Sequence, residues 1–409
     1  MSQRKLRIGV VGLGRAFSLM LPTLVLDERI EIVAGADPRP EARAQFEQDF
    51  SGRAYDRVDD MCADPRVEVV YVSTPHQYHV ENVAAAAAAG RHILCEKPMA
   101  LTVTECTTMI EAARKAGVWL VVGHSHSFDA PVRRAREIVE SGVYGDVRMM
   151  SGMDYTDFLF RPRRAEELDT SKGGGVIYNQ APHQVDNVRF IGGGMVKSVR
   201  AVTGAWDASR RTEGAYTALL TFENGAAASI TYSGYAHFDS DELVDWIAES
   251  GLPKNPEQYG AARRALEGVA GDAEYALKSQ VNYGGARYTG FDPARAKPAA
   301  DRSHQNFGLL VVSCDGADLR PTSKGVMIYD DRERRLEAVA VPPVPRREVI
   351  DELYAAVVQG LPPVHDGRWG LATMEVCFAI LQSAREGREV TLSHQISTPH
   401  LATRAKASA

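Results

Sequence analysis

A parallel α/β domain followed by an α+β domain with a large, mainly antiparallel open sheet is the fold class this sequence predicts. Three observations predict it. Short Val- and Ile-rich stretches alternate with helix-length segments in the first third of the chain, longer β-type stretches dominate after about Gly145, and 409 residues at 44% hydrophobic content supply two cores. The expected bounds are 1–127 for the first domain, 128–392 for the second, with room for its closing helices to pack back on the first, and 393–409 for a tail.

In chain order, Leu6 to Val11, Ile30 to Ala36, Val67 to Ser73, His92 to Cys95 and Trp119 to Gly123 read as strands. Helical patterns lie between them, notably Tyr78 to Ala89, stopped by Gly90, and Thr102 to Ala116. Continuous apolar strands separated by helices mean a parallel sheet covered on both faces. The second half reads as strands at Val147 to Tyr155, Val196 to Trp206, Ala215 to Phe222, Ala226 to Tyr232, Phe307 to Cys314 and Gly325 to Asp330. Asn224-Gly225 between two of them is a hairpin turn signal. Residues 236–304, rich in Gly, Pro, Ala and charge, read as an inserted helical or loop region whose elements the pattern does not place. Amphipathic patterns at Arg347 to Gln359 and Leu371 to Glu386 close the fold, and Ser393 to Ala409, without periodicity, is expected to be mobile.

Composition narrows the function classes. A net charge of −6 offers no basic footprint for nucleic acid and favours a small-molecule partner. Cys62, Cys95, Cys106, Cys314 and Cys377 are scattered singly, without zinc-site or disulfide-scaffold spacing. The polar start, Met1 to Arg7, lacks the apolar core of a signal peptide, and no apolar run reaches membrane-spanning length. A cytoplasmic protein with no membrane partner is expected.

The strongest local signal is the first strand-to-helix junction, Gly12-Leu13-Gly14-Arg15-Ala16-Phe17. Gly12 permits the tight turn, Gly14 lets backbone amides approach a pyrophosphate, and Arg15 and Ala16 open the helix whose N-terminus faces it. Phe17 replaces the third glycine of the dinucleotide fingerprint, so the pattern alone is also that of an ordinary glycine turn. Asp37, 25 residues after Gly12, stands where a carboxylate meets the adenosine ribose, although Asp37-Pro38 also reads as a turn. Its charge favours NAD over NADP, while Arg39 keeps NADP open by offering a guanidinium to a phosphate or to adenine. Ser73-Thr74-Pro75-His76, with His79, and then Glu96-Lys97-Pro98 lie at C-terminal strand ends, the ligand-binding edge of such a sheet. Farther on, Gly173-Gly174-Gly175 leads to Asn179, His183 and Asp186, which share a face if the segment is helical. His124 and His126 would point to one side of a strand. That spacing, like His76 with His79, is compatible with metal, but no convergent acidic or thiolate set accompanies it, so no metal is expected and substrate contact is favoured.

Together these motifs resemble the Gfo/Idh/MocA oxidoreductases over nearly the whole chain. The resemblance implies a Rossmann domain binding NAD(P), with Lys97 and His183 as the active centre. His183 would take the hydroxyl proton during hydride transfer and the Lys97 ammonium would stabilise the developing alkoxide. It also implies a cis Lys97-Pro98 bond. Two departures stand out: Asn179 replaces an aspartate common four residues before the catalytic histidine, leaving open how His183 and Lys97 divide the base role, and Ser127 falls near an arginine common in relatives.

The stretch from Gly152 to Arg164, continuing to His183, is most similar to the phthalate 4,5-cis-dihydrodiol dehydrogenase branch, implying oxidation of a cyclic cis-diol to a catechol. Arg161, Arg163, Arg164 and Lys172 gather cations suited to substrate carboxylates, or else form a solvated loop neutralised by Glu166, Glu167 and Asp169. Tyr155 and Asp157 complete the substrate candidates. Two alternatives remain open: a sugar, inositol or glycoside dehydrogenase using Asp157, Asn179 and the histidines on hydroxyls, and a non-catalytic nucleotide-sensing protein on the same fold. The resemblance and the open sheet imply a homodimer or homotetramer.

Overall fold

The structure is a computed structural model that describes residues 4–235, 237–290, 292–293 and 301–399. The chain begins β1 (Leu6–Val11), α1 (Arg15–Leu26), β2 (Ile30–Ala36), α2 (Pro40–Asp49), β3 (Arg53–Tyr55), α3 (Val58–Cys62), β4 (Val69–Val72), α4 (His79–Ala88), β5 (His92–Cys95), α5 (Val103–Ala116) and β6 (Leu120–Val122). It continues with α6 (Ala130–Glu140), β7 (Val147–Tyr155), α7 (Gly175–Asn179), α8 (Ala181–Gly192), β8 (Val196–Gly204), β9 (Ala215–Phe222) and β10 (Ala227–Ser233). After α9 (Ala261–Ala265) and α10 (Asp272–Gln280) come β11 (Leu309–Cys314), β12 (Ala317–Thr322), β13 (Gly325–Asp330), β14 (Arg334–Ala338), α11 (Arg347–Gln359), α12 (Gly367–Glu386) and β15 (Val390–Thr391).

These elements divide into two units. The first comprises the described residues of Met1–His124, Gly271–Pro298 and Pro342–Leu371, and the second those of Ser125–Ala270, Ala299–Val341 and Ala372–Ala409. Each unit is therefore assembled from three separate stretches of chain.

The first unit holds a six-stranded parallel sheet in the order β3-β2-β1-β4-β5-β6. The order reverses between β1 and β4, which opens a crevice beyond their carboxyl ends. All four residues of β4 are buried, as a strand covered on both faces requires. Local signals set the helix ends. The Thr102 side chain caps α5 by accepting from Glu105 N at 3.1 Å, and Gly117 closes it in the left-handed conformation at φ 67°.

Residues 271–290, which the sequence pattern left unplaced, explain Phe17. Its ring is fully buried, 5.0 Å edge-on from Tyr283 and 6.4 Å from Phe50, and the Tyr283 hydroxyl donates to Asp49 at 2.7 Å. An aromatic cluster thus occupies the position where the fingerprint has a third glycine.

The second unit is built on a nine-stranded sheet, β14-β13-β12-β11-β7-β10-β9-β8-β15, antiparallel throughout except for β7 with β10. The pleat separates its faces. Met150, Ala228, Leu220 and Val199 are buried on the side that α8 packs against, while Met149, Leu219 and Val202 are exposed on the other. Register aligns Asp154, Tyr232 and Tyr216 in one row across β7, β10 and β9 on the buried face. Gly225 takes φ 86° in the β9–β10 turn, as the Asn-Gly signal requires.

Several expectations are corrected. β3, β12, β14 and β15 are additional strands, two to six residues long, too short or too charged for the apolar pattern to reveal. The β6 strand stops at Val122, so His124 and His126 do not alternate along a strand, and His126 instead opens a 3-10 turn, His126–Phe128. The first residues of the expected tail are docked: Ser393 N and His394 N donate to Glu375 at 2.7 and 3.0 Å, and Thr398 N donates to Gly193 O at 3.0 Å. Residues 400–409 lie outside the described residues. Among the described residues, no helix is long and apolar enough to cross a membrane.

Candidate active site

In the first unit the glycine turn is fixed by its surroundings. Gly12 takes φ 87°, and a Cβ there would fall 2.8 Å from Thr74 N, so a side chain is excluded on two counts. The Ser73 hydroxyl donates to Gly12 O at 2.8 Å and to Val11 O at 3.1 Å, tying the end of β4 to the turn. Gly14 begins α1, and a Cβ there would meet no protein atom within 4 Å. No side chain caps this helix end and its first turn carries no acid, so its amides and dipole face the open space above Gly14. This arrangement fits a dinucleotide pyrophosphate. Arg15 is exposed and Ala16 half-buried on the first turn.

Asp37 is buried and already engaged. Its carboxylate accepts Leu13 N at 2.8 Å and a two-pronged approach from Arg39, Nε at 3.0 Å and Nη2 at 3.1 Å, while Arg39 Nη2 also donates to Leu13 O at 2.6 Å. The two residues clamp the glycine turn to the end of β2.

His79 departs from its expected cofactor contact. It is fully buried, with Nδ1 at 3.0 Å from Pro98 O and 3.2 Å from Met99 O, and Nε2 at 3.0 Å from Thr74 O. Both ring nitrogens face carbonyl oxygens, the protonated one donating, and His79 pins two segments of the binding edge together. Burial lowers its pKa. Thr74, Pro75 and His76 stay half-exposed at the same edge. Glu96 accepts the buried Tyr71 hydroxyl at 2.6 Å, and burial pushes its carboxyl up despite Tyr71, Lys97 and Arg346. Lys97 is half-buried beside it, and the Lys97–Pro98 peptide is cis.

In the second unit the expected single helical face is broken. α7 ends at Asn179 and α8 starts at Ala181, so Asn179 is out of phase with His183. The Asn179 amide donates to Gly175 O at 2.7 Å and to Gly173 O at 3.3 Å, holding the glycine-rich approach. Ser127 and Thr373 both donate to Asp186, the latter at 3.0 Å, so Ser127 and Asp186 form a buried structural tie.

His183 is 3% exposed and lies 4.8 Å, ring to ring, from both Phe307 and His126. Phe307 continues into a stack with Tyr232 and Tyr216, giving His183 an apolar wall. His126 Nδ1 is 2.7 Å from Asp129 Oδ2 and its Nε2 is 3.6 Å from Glu249 Oε1. Burial opposes charge on this ring, yet Asp129 and Glu249 together outweigh it and push its pKa up to about 9. Asp154, in the aligned row, accepts Ser240 Oγ at 2.9 Å, and burial, aided by Asp241 and Glu249, pushes its carboxyl up to about 7. His126, His183 and Glu249 present ligand atoms within 4.8 Å of one another. Asp129, Asp154, Glu249 and Phe307 were not singled out from sequence, and for Glu249 no spacing signal points to it.

The loop cations are largely compensated. Arg163 lies over the Phe158 ring at 3.7 Å, donates to Phe158 O at 2.6 Å and has Glu167 at 3.8 Å, and burial pulls its pKa down to about 10. Arg164 is flanked by Glu166 at 3.3 Å and Glu167 at 3.4 Å, and Lys172 by Asp169 at 3.6 Å. Arg161 is the most exposed of the three arginines, at 46%, and pairs with Asp157 at 3.2 Å. Tyr155 is half-buried with Phe238 edge-on at 5.9 Å, and His124 is buried at the end of the first unit's N-terminal stretch.

With this geometry in place, known proteins supply the frame. Residues 6–124 match the oxidoreductase family with an NAD-binding Rossmann fold, and residues 132–248 match the GFO/IDH/MocA C-terminal domain. This chain belongs to the Gfo/Idh/MocA oxidoreductase family. It is 47% identical over 383 residues to the 1-carboxy-3-chloro-3,4-dihydroxycyclohexa-1,5-diene dehydrogenase of Comamonas testosteroni, covering 93% of this chain and 95% of that relative. A solved structure from Bordetella bronchiseptica RB50, described as a dehydrogenase, is similar with TM-score 0.88 and 42% identity, covering 95% of this chain and all of that one. The WlbA dehydrogenase of Bordetella pertussis, solved with NADH and UDP-GlcNAcA, shares the fold alone: TM-score 0.66, 22% identity, 96% of this chain and 99% of that one. This Gfo/Idh/MocA protein is thus an oxidoreductase with an NAD-binding Rossmann domain, and its kin include a dehydrogenase of a carboxylated cyclic diol.

Proposed function

We propose that this enzyme oxidises a ring secondary alcohol of a carboxylated cis-dihydrodiol, yielding a catechol. The observation that carries the reading is the near end-to-end similarity to a dehydrogenase whose name specifies a carboxylated dihydroxycyclohexadiene. The nicotinamide, when bound, accepts the hydride. His183 takes the hydroxyl proton from within its Phe307 wall, and the Lys97 ammonium stabilises negative charge developing on oxygen. Asn179 holds the glycine-rich approach and is assigned no proton transfer.

Arg161 is the candidate for the substrate carboxylate. It is the most exposed of the three arginines, at 46%, and lies within electrostatic reach of Asp154, Glu249 and Tyr232. NAD is preferred over NADP because Asp37 stands at the end of β2 and Arg39 is committed to Asp37 and Leu13, so capture of a 2′-phosphate would break the clamp. A second copy of the chain covers the outward face of the nine-stranded sheet, where Met149, Leu219 and Val202 are exposed. Cys62, Cys95, Cys106, Cys314 and Cys377 form no disulfide among the described residues, which suits a reducing cytoplasm.

The test is dinucleotide reduction by purified enzyme against cyclic cis-diols with and without ring carboxylates, beside inositols and sugars. Carboxylated diols are expected to be the best substrates. Efficient oxidation of a neutral sugar with every carboxylated diol ignored would overturn the reading.

A further inference from the structure

The Glu249 carboxylate stands beside His183 with one edge in solvent. Its oxygen and the nearest ring nitrogens of His126 and His183 lie within 4.8 Å of one another. Exposure separates the three: His126 is at 1%, His183 at 3%, and the Glu249 side chain at 43%. A base as enclosed as His183 takes one proton per turnover and has to lose it before the next. Asn179 offers no route, because its amide is neither a carboxylate nor in phase with His183.

We propose that Glu249 is the proton outlet of this active centre, receiving from His183 the proton taken from the substrate hydroxyl and delivering it to water. This rests on His183 being the base. The balance is simple. The carbinol C–H leaves as hydride, the O–H electron pair closes the C=O bond, and the single proton passes from oxygen to His183, to Glu249 and to solvent, returning both groups to their starting state.

His126 serves this outlet as a positioning residue. Its two ring nitrogens face carboxylates, Asp129 at 2.7 Å and Glu249 at 3.6 Å, so an imidazolium is anchored on one side and holds Glu249 toward His183 on the other. Arg161, Asp154 and Asp241 lie within electrostatic range of the same carboxylate. The loop carrying Glu249 is braced independently, since Asn306 Nδ2 donates to Ile247 O at 3.0 Å and Lys254 N to Trp246 O at 2.8 Å.

The experiment uses the full-length enzyme with its best carboxylated diol and compares Glu249→Gln, Glu249→Ala and His183→Ala. Both Glu249 variants are expected to lose about 10-fold or more in kcat with the KM for dinucleotide unchanged, and to show a larger solvent deuterium isotope effect as proton release becomes limiting. Formate or acetate should restore turnover to Glu249→Ala and not to His183→Ala. Unchanged kcat in the folded Glu249→Gln variant overturns the outlet, as does a loss with neither an enlarged isotope effect nor rescue by small acids. Stoichiometric zinc that a chelator removes together with activity would make the trio a metal site and also overturn it. If His183→Ala keeps normal turnover, the base assignment falls and the outlet with it. A dead His183→Ala beside normal Glu249 variants sinks the outlet alone.

Discussion

Replacing Asp129 by asparagine tests the electrostatics beside His183 with the least change of shape. The His126 ring is 1% exposed and its Nδ1 lies 2.7 Å from Asp129 Oδ2. Burial disfavours the imidazolium, and Asp129 is the chief opposing charge, with Glu249, partly in solvent, contributing a more screened share. The folded pKa of about 9 lies above the ordinary value of 6.5, so this pair stabilises the fold fully below pH 6.5 and loses its contribution as pH rises through 9. At about 1.36 kcal/mol per pH unit, the gap corresponds to about 3 kcal/mol. Asparagine keeps the volume and removes the charge, so burial prevails and His126 becomes neutral near pH 7. Urea unfolding of both proteins at pH 6, 8 and 10 should therefore show a difference of about 3 kcal/mol at pH 6 that shrinks below about 1 kcal/mol at pH 10. A difference of equal size at pH 6 and pH 10, or one that grows with pH, would refute the charged-pair reasoning.

Lys97→Ala and His183→Ala should each lower kcat by about 100-fold or more while NADH binding, followed by fluorescence, stays intact; near-normal turnover in both would move the chemistry elsewhere. NAD should bind more tightly than NADP, Asp37→Ala should erode that preference by releasing Arg39, and Arg39→Ala should leave it in place; equal affinities in the unmodified enzyme would contradict this. Arg161→Ala should raise KM for a carboxylated diol about 10-fold or more and leave an uncarboxylated analogue unaffected, an outcome that Arg164→Ala, paired with two glutamates, should not reproduce.

Local chemistry accounts for the parts that were legible in advance. The Gly12-Leu13-Gly14 turn is readable because a Cβ at Gly12 meets Thr74 backbone whatever else the protein does. The Val-rich strands and the Asn224-Gly225 hairpin are likewise short-range consequences of burial and of a positive φ. Phe17 was the visible exception to the fingerprint, and its partner Tyr283 lies far along the chain in a segment without clear periodicity.

By itself, then, the sequence determined the two sheets and the dinucleotide turn, since those follow from periodicity and glycine geometry, while Lys97 and His183 entered as candidates through the family resemblance of their motifs. Tertiary structure alone decided which polar groups are free for chemistry. It turned His79 into a pin between carbonyls, Asn179 into a backbone tie, and Arg163 and Arg164 into partners of glutamates. It also brought Asp129 and Glu249 to the two sides of His126. The physical reason is that a side chain's charge state and availability depend on desolvation and on neighbours within a few ångströms. Residues 123 positions apart, as His126 and Glu249 are, become such neighbours only when the chain has folded.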